Sequence, residues 1–305
     1  MPGSLLLKIK ELYMLTKEEK IAYIMLLPAF VLLFSLVGYP LFYSFYLSLV
    51  KKQAGQPVTA FVGLANFVNL FKSDTFRLTL QNSLIYTFVA VPLKAILGLV
   101  LAVLLSKVAR GRRVFRGIIL LPWVAPISIS TLAWWWMYDP LYSVINWSLI
   151  KLGIIKWGIP WLSTTFWARV ALITVNVWRG LPFFAVTFLA GLLAIPKDLL
   201  ESAQIDGAGA FARFFRITLP LLTPLLGVII LYSVVMTIGD FPIVYVLTKG
   251  GPMNTTHVFA TLAFQEGIAT ADIARAATIV LFIFPFLAVS SFFQLRVIRK
   301  RVGAI

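Results

Sequence analysis

Cysteine is absent from this 305-residue sequence, histidine occurs once, and only 11 residues are Asp or Glu. Without cysteine the chain forms neither disulfides nor thiolate metal sites, and one histidine does not make a convincing metal site. The sequence also lacks a GxxxxGK[ST] phosphate-binding loop. We therefore predict a non-catalytic protein with no metal and no cofactor bound to this chain.

Long hydrophobic runs dominate what is present, since 60% of the residues are hydrophobic and 12% are charged. A membrane helix needs about 20 apolar residues in a row, and six segments qualify. These segments are Ile21–Leu49, Asn82–Ser106, Val114–Tyr138, Phe166–Ile195, Ile217–Gly239 and Ile273–Leu295. The sequence predicts an all-α, polytopic membrane protein, with residues 1–20 as a polar N-terminal segment and residues 21–305 as one transmembrane domain.

Glycine and proline occur together inside two of these segments. The first contains Gly38 and Pro40, and the fourth contains Gly180 and Pro182. Both segments are long enough to tilt or to break, because neighbouring helices can satisfy the backbone groups that a proline frees. A break in the fourth helix would expose polar groups near the middle of the membrane.

The net charge of +16 has two interpretations. A basic balance of this size fits a nucleic-acid-binding protein, but here the basic residues cluster between the apolar runs. Placing the N-terminus inside puts sixteen of them on the inner side and seven on the outer side, so the positive-inside rule predicts that both termini are cytoplasmic. Seven of the nine tryptophans lie between Trp134 and Trp167, which is typical of an interfacial belt. We expect no binding of nucleic acid.

The loop between the fourth and fifth predicted spans is too polar to cross a membrane and too apolar for a free loop. It runs from Ile195 to Pro220. Asp198 follows Pro196, as favoured in the first turn of a helix, and glycines at 207 and 209 would end that helix. A second short helix would follow before the next span. Such a helix–turn–helix suits docking in a groove of a partner.

This loop resembles the "EAA" signature of binding-protein-dependent ABC importer permeases. Glu201, Ala203 and Gly207 match it, as does the Ile-x-Leu-Pro that ends at Pro220, whereas Ser202 replaces the first Ala. The resemblance implies a type I ABC importer permease fold in a prokaryotic inner membrane. It further implies that residues 196–216, here named the coupling segment, insert into a separate ATPase. The residues implied in this contact are Glu201, Ser202, Ala203, Asp206 and Gly207.

Looser motifs are similar to the carbohydrate branch, the maltose and glycerol-phosphate permeases. They are the first helix (LLPAFVLLFSLVGYPLFYSFYLSL), GLANFVNLF, NVWRGLPFF and LTKGGPMNTT. The resemblance implies an ATPase dimer that binds ATP and Mg²⁺, a second permease subunit and an extracytoplasmic solute-binding protein. The cargo implied is a sugar, either a disaccharide or an oligosaccharide, moved by alternating access.

Polar residues inside the fourth and fifth spans are the candidates for a substrate site. Arg179 lies near the middle of the fourth span, and an intramembrane charge usually faces a bundle interior or a water-filled path. Asn176 and Gly180 share one helical face, and Ser233, Thr237 and Asp240 follow helical spacing. In the maltose-type permeases the matching positions border the sugar. The implied substrate-binding set is Asn176, Arg179, Gly180, Ser233, Met236, Thr237 and Asp240.

Two alternatives stay open for this set. Arg179 and Asp240 are opposite charges, so they could form a structural ion pair between the two helices, and the hydroxyls of Ser233 and Thr237 could bond within their own helix. A sugar site also needs an aromatic or apolar face. The candidates for this face are Phe183, Phe241 and Trp178.

The remaining charged residues receive simpler interpretations. We expect Lys94 to snorkel or to make a contact within the bundle, and Arg169 and Arg275 to snorkel near helix ends. His257 is expected to be a solvated loop residue.

Two other classes of protein compete with the importer permease. An ion-coupled secondary transporter would work without an ATPase, but it needs a relay of intramembrane acids, and only Asp240 is available. A membrane-embedded enzyme would need paired carboxylates or a metal cluster. Neither class accounts for the coupling segment.

Overall fold

The structure is a computed structural model that describes residues 16–108 and 111–302. Most of the predicted N-terminal segment, residues 1–15, lies outside the described residues. The remainder of that segment is already helical, because Thr16 caps the first helix. Its hydroxyl accepts from the Glu19 backbone N–H at 3.2 Å, and the Glu19 carboxylate accepts from the Thr16 N–H at 2.7 Å, a reciprocal pair that satisfies two free donors.

The described residues form an all-helical bundle with one small hairpin. In chain order the helices are α1 Lys17–Ser48, α2 Ala65–Lys72, α3 Asp74–Lys107, α4 Arg112–Val124, α5 Ile127–Met137, α6 Val144–Lys151, α7 Thr165–Ala194, α8 Lys197–Ile205, α9 Ala210–Ile238, α10 Phe241–Leu247, α11 Phe259–Phe264 and α12 Ile273–Val302. The antiparallel hairpin pairs β1, Val50–Lys51, with β2, Ala60–Phe61. Single π-helical turns interrupt α1 at Phe34–Gly38 and α9 at Phe214–Thr218, and another, Gln265–Ala269, follows α11.

Within the described residues, five helices are long and apolar enough to cross a membrane, namely α1, α3, α7, α9 and α12. A sixth crossing results if the pair α4 and α5 counts as one span. The predicted spans therefore have the right positions, although α3 begins eight residues earlier than expected and α9 begins within the coupling segment. The chain is a multi-pass membrane protein.

The third predicted span is not one helix. Its two parts, α4 and α5, meet at an angle of 87°. The break lies at Ala125 and Pro126: proline has no N–H to continue the helix, and the residue before it is driven out of the α region. Ala125 accordingly has φ −59° and ψ 139°.

The fourth predicted span is continuous, so the break near Gly180, one of the two alternatives expected for this span, does not occur. Helix α7 runs unbroken from Thr165 to Ala194 with Pro182 inside it. The discontinuity in this region falls instead on the fifth span, where α9 ends at Ile238 and α10 begins at Phe241.

Close contact between α3 and α7 forms the centre of the bundle. Gly98 of α3 faces Phe184 of α7 so closely that an added Cβ would lie 2.5 Å from the phenylalanine Cβ. Gly191 of α7 approaches α9 in the same way, because a Cβ added to it would lie 2.7 Å from Leu222 Cδ2. Small residues let membrane helices pack at short distance, so these two glycines bring α3, α7 and α9 together.

Substituting Gly98 with Ala should separate α3 from α7 and lower the free energy of unfolding by about 1–3 kcal/mol, the usual effect of overpacking. Gly117→Ala in α4 is the matched control, because no atom lies within 4 Å of its added Cβ. Thermal unfolding in detergent, followed by tryptophan fluorescence, measures both. Equal midpoints for the two variants would contradict the close packing.

Candidate functional site

A cavity of about 310 Å³ lies between α3, α7 and α9. It extends to the break between α4 and α5 and to the break between α9 and α10. Its size falls at the lower end of small-molecule sites, roughly 300–1,000 Å³. It is lined by all seven residues predicted to contact substrate: Asn176, Arg179, Gly180, Ser233, Met236, Thr237 and Asp240. The structure therefore brings the predicted set to one place.

Asp240 is the most connected polar group of the cavity and is 6% exposed. One carboxylate oxygen accepts from the Tyr86 hydroxyl of α3 at 2.6 Å and from the Asn176 amide of α7 at 2.9 Å. The other accepts from the Ile243 backbone N–H at 3.3 Å, which caps α10. Asp240 thus joins three helices at the point where the fifth span breaks.

Lys94 of α3 enters the same cavity, although it was expected only to snorkel or to contact the bundle. Its ammonium donates to the Thr237 hydroxyl at 2.9 Å, and the residue is 4% exposed. A Cβ on Gly180 would lie 2.5 Å from Lys94 Cδ. The bundle contact is therefore the correct interpretation, and Gly180 gives the lysine stem room to cross α7.

Arg179 does not pair with Asp240, so the ion-pair alternative is wrong. Its guanidinium donates instead to the Ala125 carbonyl at 3.3 Å, at the end of α4. Within the described part of the chain, side-chain ion pairs join Arg77 to Asp74 and Arg275 to Glu266. The positive charge of Arg179 faces the cavity without a carboxylate partner.

Aromatic rings form one wall of the cavity. Trp123 and Phe183 stack with their centroids 5.8 Å apart and their planes at 15°, and Phe183 contacts Tyr232 at 5.4 Å. Of the three predicted aromatics only Phe183 lines the cavity. Trp178 packs on Trp134 and Phe241 on Tyr245, both outside it.

Sequence reasoning missed Trp123, Tyr232 and Lys94 as cavity residues. Trp123 carried a usable signal, because it lies in the middle of a predicted span and apart from the interfacial tryptophans. Tyr232 precedes the predicted Ser233 and carried no such signal. Lys94 was recognised as an intramembrane charge. Its side chain passes Gly180 to reach the cavity, and this depends on the contact between α3 and α7, which the sequence does not show.

The coupling segment forms α8, a turn and the start of α9. Glu201 and Ser202 are exposed on α8, Ala203 is half-buried, and Asp206 and Gly207 are exposed in the turn. Gly207 has φ +80°, a conformation that residues with a Cβ rarely adopt. The expected second short helix is not separate, because α9 continues from Ala210 through the membrane.

Apolar side chains of the coupling segment are exposed. Ile205 is 86% exposed and Phe211 is 78% exposed. Leu199 and Phe215 are exposed as well. This surface remains uncovered by the described part of the chain.

Two residues at the opposite end of the bundle depart from expectation. Arg169 does not snorkel: its guanidinium donates to the Asn82 side chain at 3.0 Å and to the Thr255 carbonyl at 3.4 Å. His257, expected to be solvated, is 1% exposed. Its Nδ1 lies 3.0 Å from the Thr261 hydroxyl, and its ring packs against Gly250, where no Cβ fits.

The bundle, the cavity between its helices and the exposed coupling segment together define a membrane permease that couples to a separate partner. The chain belongs to the family described as "Binding-protein-dependent transport system inner membrane component", which matches residues 94–303. It is thus a permease subunit of an ATP-driven importer, and the ion-coupled alternative is not favoured.

Relatives with known names agree with the family. The chain is 39% identical to the trehalose/maltose transport system permease protein MalF of Thermococcus litoralis, over 82% of this chain and 84% of that protein. It is 32% identical to the sulfoquinovosyl glycerol transport system permease protein SmoG of Agrobacterium fabrum, over 93% of this chain and 92% of that protein.

The fold matches a solved transporter. A bacterial ABC transporter involved in the import of the acidic polysaccharide alginate superposes with a TM-score of 0.76 over 93% of this chain and 96% of that chain. At 24% identity this likeness shows the fold alone. The predicted type I importer permease fold is confirmed.

Tyr86→Phe should lower the free energy of unfolding by about 1–3 kcal/mol, because it removes a donor from the buried Asp240 carboxylate. Thermal unfolding in detergent measures the change. The control is Tyr23→Phe in α1, where the side chain is exposed. A Tyr86 variant as stable as the control would show that the carboxylate does not depend on this bond.

Proposed function

We propose that this chain carries a sugar, of disaccharide or oligosaccharide size, through the membrane by way of the cavity around Asp240. The observation that carries the proposal is the combination of an aromatic wall with hydrogen-bonding groups in one intramembrane cavity. Sugars need donors and acceptors for their hydroxyls and an apolar face for the ring. The names of the relatives, which include trehalose, maltose and sulfoquinovosyl glycerol, support this class.

The two walls of the cavity have different roles in this proposal. The stacked Trp123 and Phe183 would receive a face of the sugar ring. Arg179, Asn176 and Ser233 would bond hydroxyls from the opposite side. The carboxylate of Asp240 already accepts three bonds, so its main role would be to orient Asn176.

The coupling segment is the proposed contact with the ATPase. Its exposed residues Leu199, Ile205 and Phe211 would fill an apolar groove, and Glu201 with Asp206 would set polar contacts at the rim. An ATPase dimer would bind ATP and Mg²⁺ and supply the energy. Glu201, Ser202, Ala203, Asp206 and Gly207 remain the residues proposed for this interface.

Further partners follow from the geometry of the cavity. The described residues do not fully enclose this cavity, so a second permease subunit would complete the path. A solute-binding protein would deliver the sugar at the outer face. The excess of basic residues between alternate spans supports cytoplasmic termini in a prokaryotic inner membrane.

Alternating access is the proposed mechanism. Closure of the ATPase dimer would move α8, and the continuous α9 would transmit this displacement to the break before Asp240. The ligand and the ATPase each favour one of the two states of the bundle.

Trp123→Ala should raise the KM for ATP-dependent uptake of labelled maltose roughly two- to tenfold, since an aromatic contact contributes about 0.5–1.5 kcal/mol. The assay uses proteoliposomes with the complete transporter and its binding protein. Trp157→Ala is the control, because Trp157 is 85% exposed outside the cavity. An unchanged KM in both variants would show that the aromatic wall does not contact the sugar.

Gly207→Val should weaken retention of the ATPase in detergent pull-downs and reduce uptake, because a β-branched residue is strained at φ +80°. Gly209→Val provides the matched control, since Gly209 has φ −64° and ψ 165°, which any residue adopts. If both variants retained the ATPase equally, the turn of the coupling segment would not be part of the contact.

A further inference from the structure

A second cavity, of about 430 Å³, lies at the C-terminal end of α10. Its walls are the segment that follows α10 and the helix α11 with its π-helical turn. The residues used below are Tyr245, Lys249, Asn254, His257, Phe264 and Gln265, all of which line it. We call it the outer cavity, because the orientation in the proposed function places it on the outer side of the membrane.

Free polar groups converge on the outer cavity. The side chains of Lys249 and Asn254 are exposed and make no hydrogen bond or ion pair with the described residues. The Gln265 amide is half-buried beside them. Thr248, by contrast, is fully engaged, since its hydroxyl donates to the Val244 carbonyl and accepts from Thr256.

His257 lines this cavity, but its ring is buried against Gly250. The Thr261 hydroxyl donates to the Val258 carbonyl, so the network assigns the His257 Nδ1 as a donor to Thr261 and the Nε2 as an acceptor. The Nε2 is buried and has no partner within hydrogen-bond distance. Burial lowers the pKa of His257, with the nearby Gln265 side chain opposing the shift, which agrees with a neutral ring.

Aromatic faces complete the outer cavity. Tyr245 and Phe264 meet edge to face with centroids 5.0 Å apart, and Phe264 is 36% exposed. Neutral amides, one ammonium and two rings supply hydrogen-bonding groups and apolar surface, as they do in the first cavity. Its lining contains no carboxylate, so a neutral polyhydroxylated ligand fits it without an unpaired buried acid.

The two cavities lie at opposite ends of one short helix. Asp240, Pro242 and Ile243 at the start of α10 line the first cavity, whereas Tyr245 and Lys249 at its end line the outer one. Seven helical residues at 1.5 Å each separate the two sites by about 10 Å.

We propose that the outer cavity is a second saccharide site, which holds the sugar between its release at the outer face and its entry into the cavity around Asp240. Lys249, Asn254 and Gln265 bond the sugar hydroxyls there, and Tyr245 and Phe264 face the ring. This inference rests on the proposed function, because it takes the same class of ligand.

The backbone geometry of the loop after α10 allows single side chains to be removed while the backbone keeps its conformation. Lys249, Met253 and Asn254 all have positive φ, at 50°, 51° and 60°. Glycine adopts such angles readily, so replacing each by Gly removes a side chain while the backbone keeps its conformation. Lys249→Gly with Asn254→Gly removes polar groups of the lining, whereas Met253→Gly removes a lining side chain that is 90% exposed and donates no hydrogen bond.

The experiment is saturation-transfer NMR with maltose on the complete permease–ATPase assembly in nanodiscs, without the binding protein. The background variant is Trp123→Ala with Asn176→Ala, which disables the first cavity. We expect transfer to maltose to persist in this background, to be lost when Lys249→Gly and Asn254→Gly are added, and to be kept with Met253→Gly. Thermal unfolding of each variant confirms that the fold is retained.

Three outcomes would overturn the proposal. Maltose signal from the wild type but none from the background variant would mean that the outer cavity holds no sugar. Equal loss with Met253→Gly would assign the effect to the loop backbone or to the Met253 side chain and not to the polar groups. If Lys249→Gly with Asn254→Gly left the maltose signal unchanged but reduced capture of the binding protein in a separate pull-down, this would be a docking surface. If the wild type neither bound maltose nor transported any sugar, the proposed function itself would fail.

Discussion

The carboxylate of Asp240 is the interaction on which the rest of the site depends. It is buried among three helices and accepts from Tyr86, from Asn176 and from the first turn of α10. A buried carboxylate is tolerated only when its lone pairs are satisfied, so each of these helices has one allowed position relative to the others. The same carboxylate stabilises the break between α9 and α10. It caps the first turn of α10, and a cap at this position requires that α9 has already ended.

Glycine determines how closely the helices approach this carboxylate. Gly98 and Gly191 bring α3 and α9 onto α7, and Gly180 lets the Lys94 stem cross α7 to reach Thr237. Without a hydrophobic driving force between helices in lipid, such close packing and a few buried hydrogen bonds supply the association. The cavity lies beside these contacts, and larger side chains, Trp123 and Phe183 among them, form part of its lining.

Apolar run length made the spans predictable, and the fixed spacing around Glu201 indicated the family, which the match over residues 94–303 confirms. Helical spacing and the resemblance also grouped Asn176, Arg179 and Thr237 correctly. The break at Pro126 was readable in principle but was outweighed by the length of the apolar run. The partners of Asp240 could not be read from the sequence, because Tyr86 lies 154 positions away from it and only the packing of the helices brings the two together. His257 was misjudged because loop position says nothing about burial beneath Gly250.

The length of α9 has a mechanical consequence. One helix of 29 residues joins the turn after Gly207 to the residue just before Gly239 and Asp240, a length of about 43 Å at 1.5 Å per residue. Its π-helical turn at Phe214–Thr218 sits close to the coupling end. A tilt of about 5° about that turn would displace the far end by roughly 3 Å over the remaining residues, comparable to the hydrogen-bond lengths around the carboxylate. Under the proposed mechanism the helix would act as a lever whose long arm ends beside the Asp240 carboxylate.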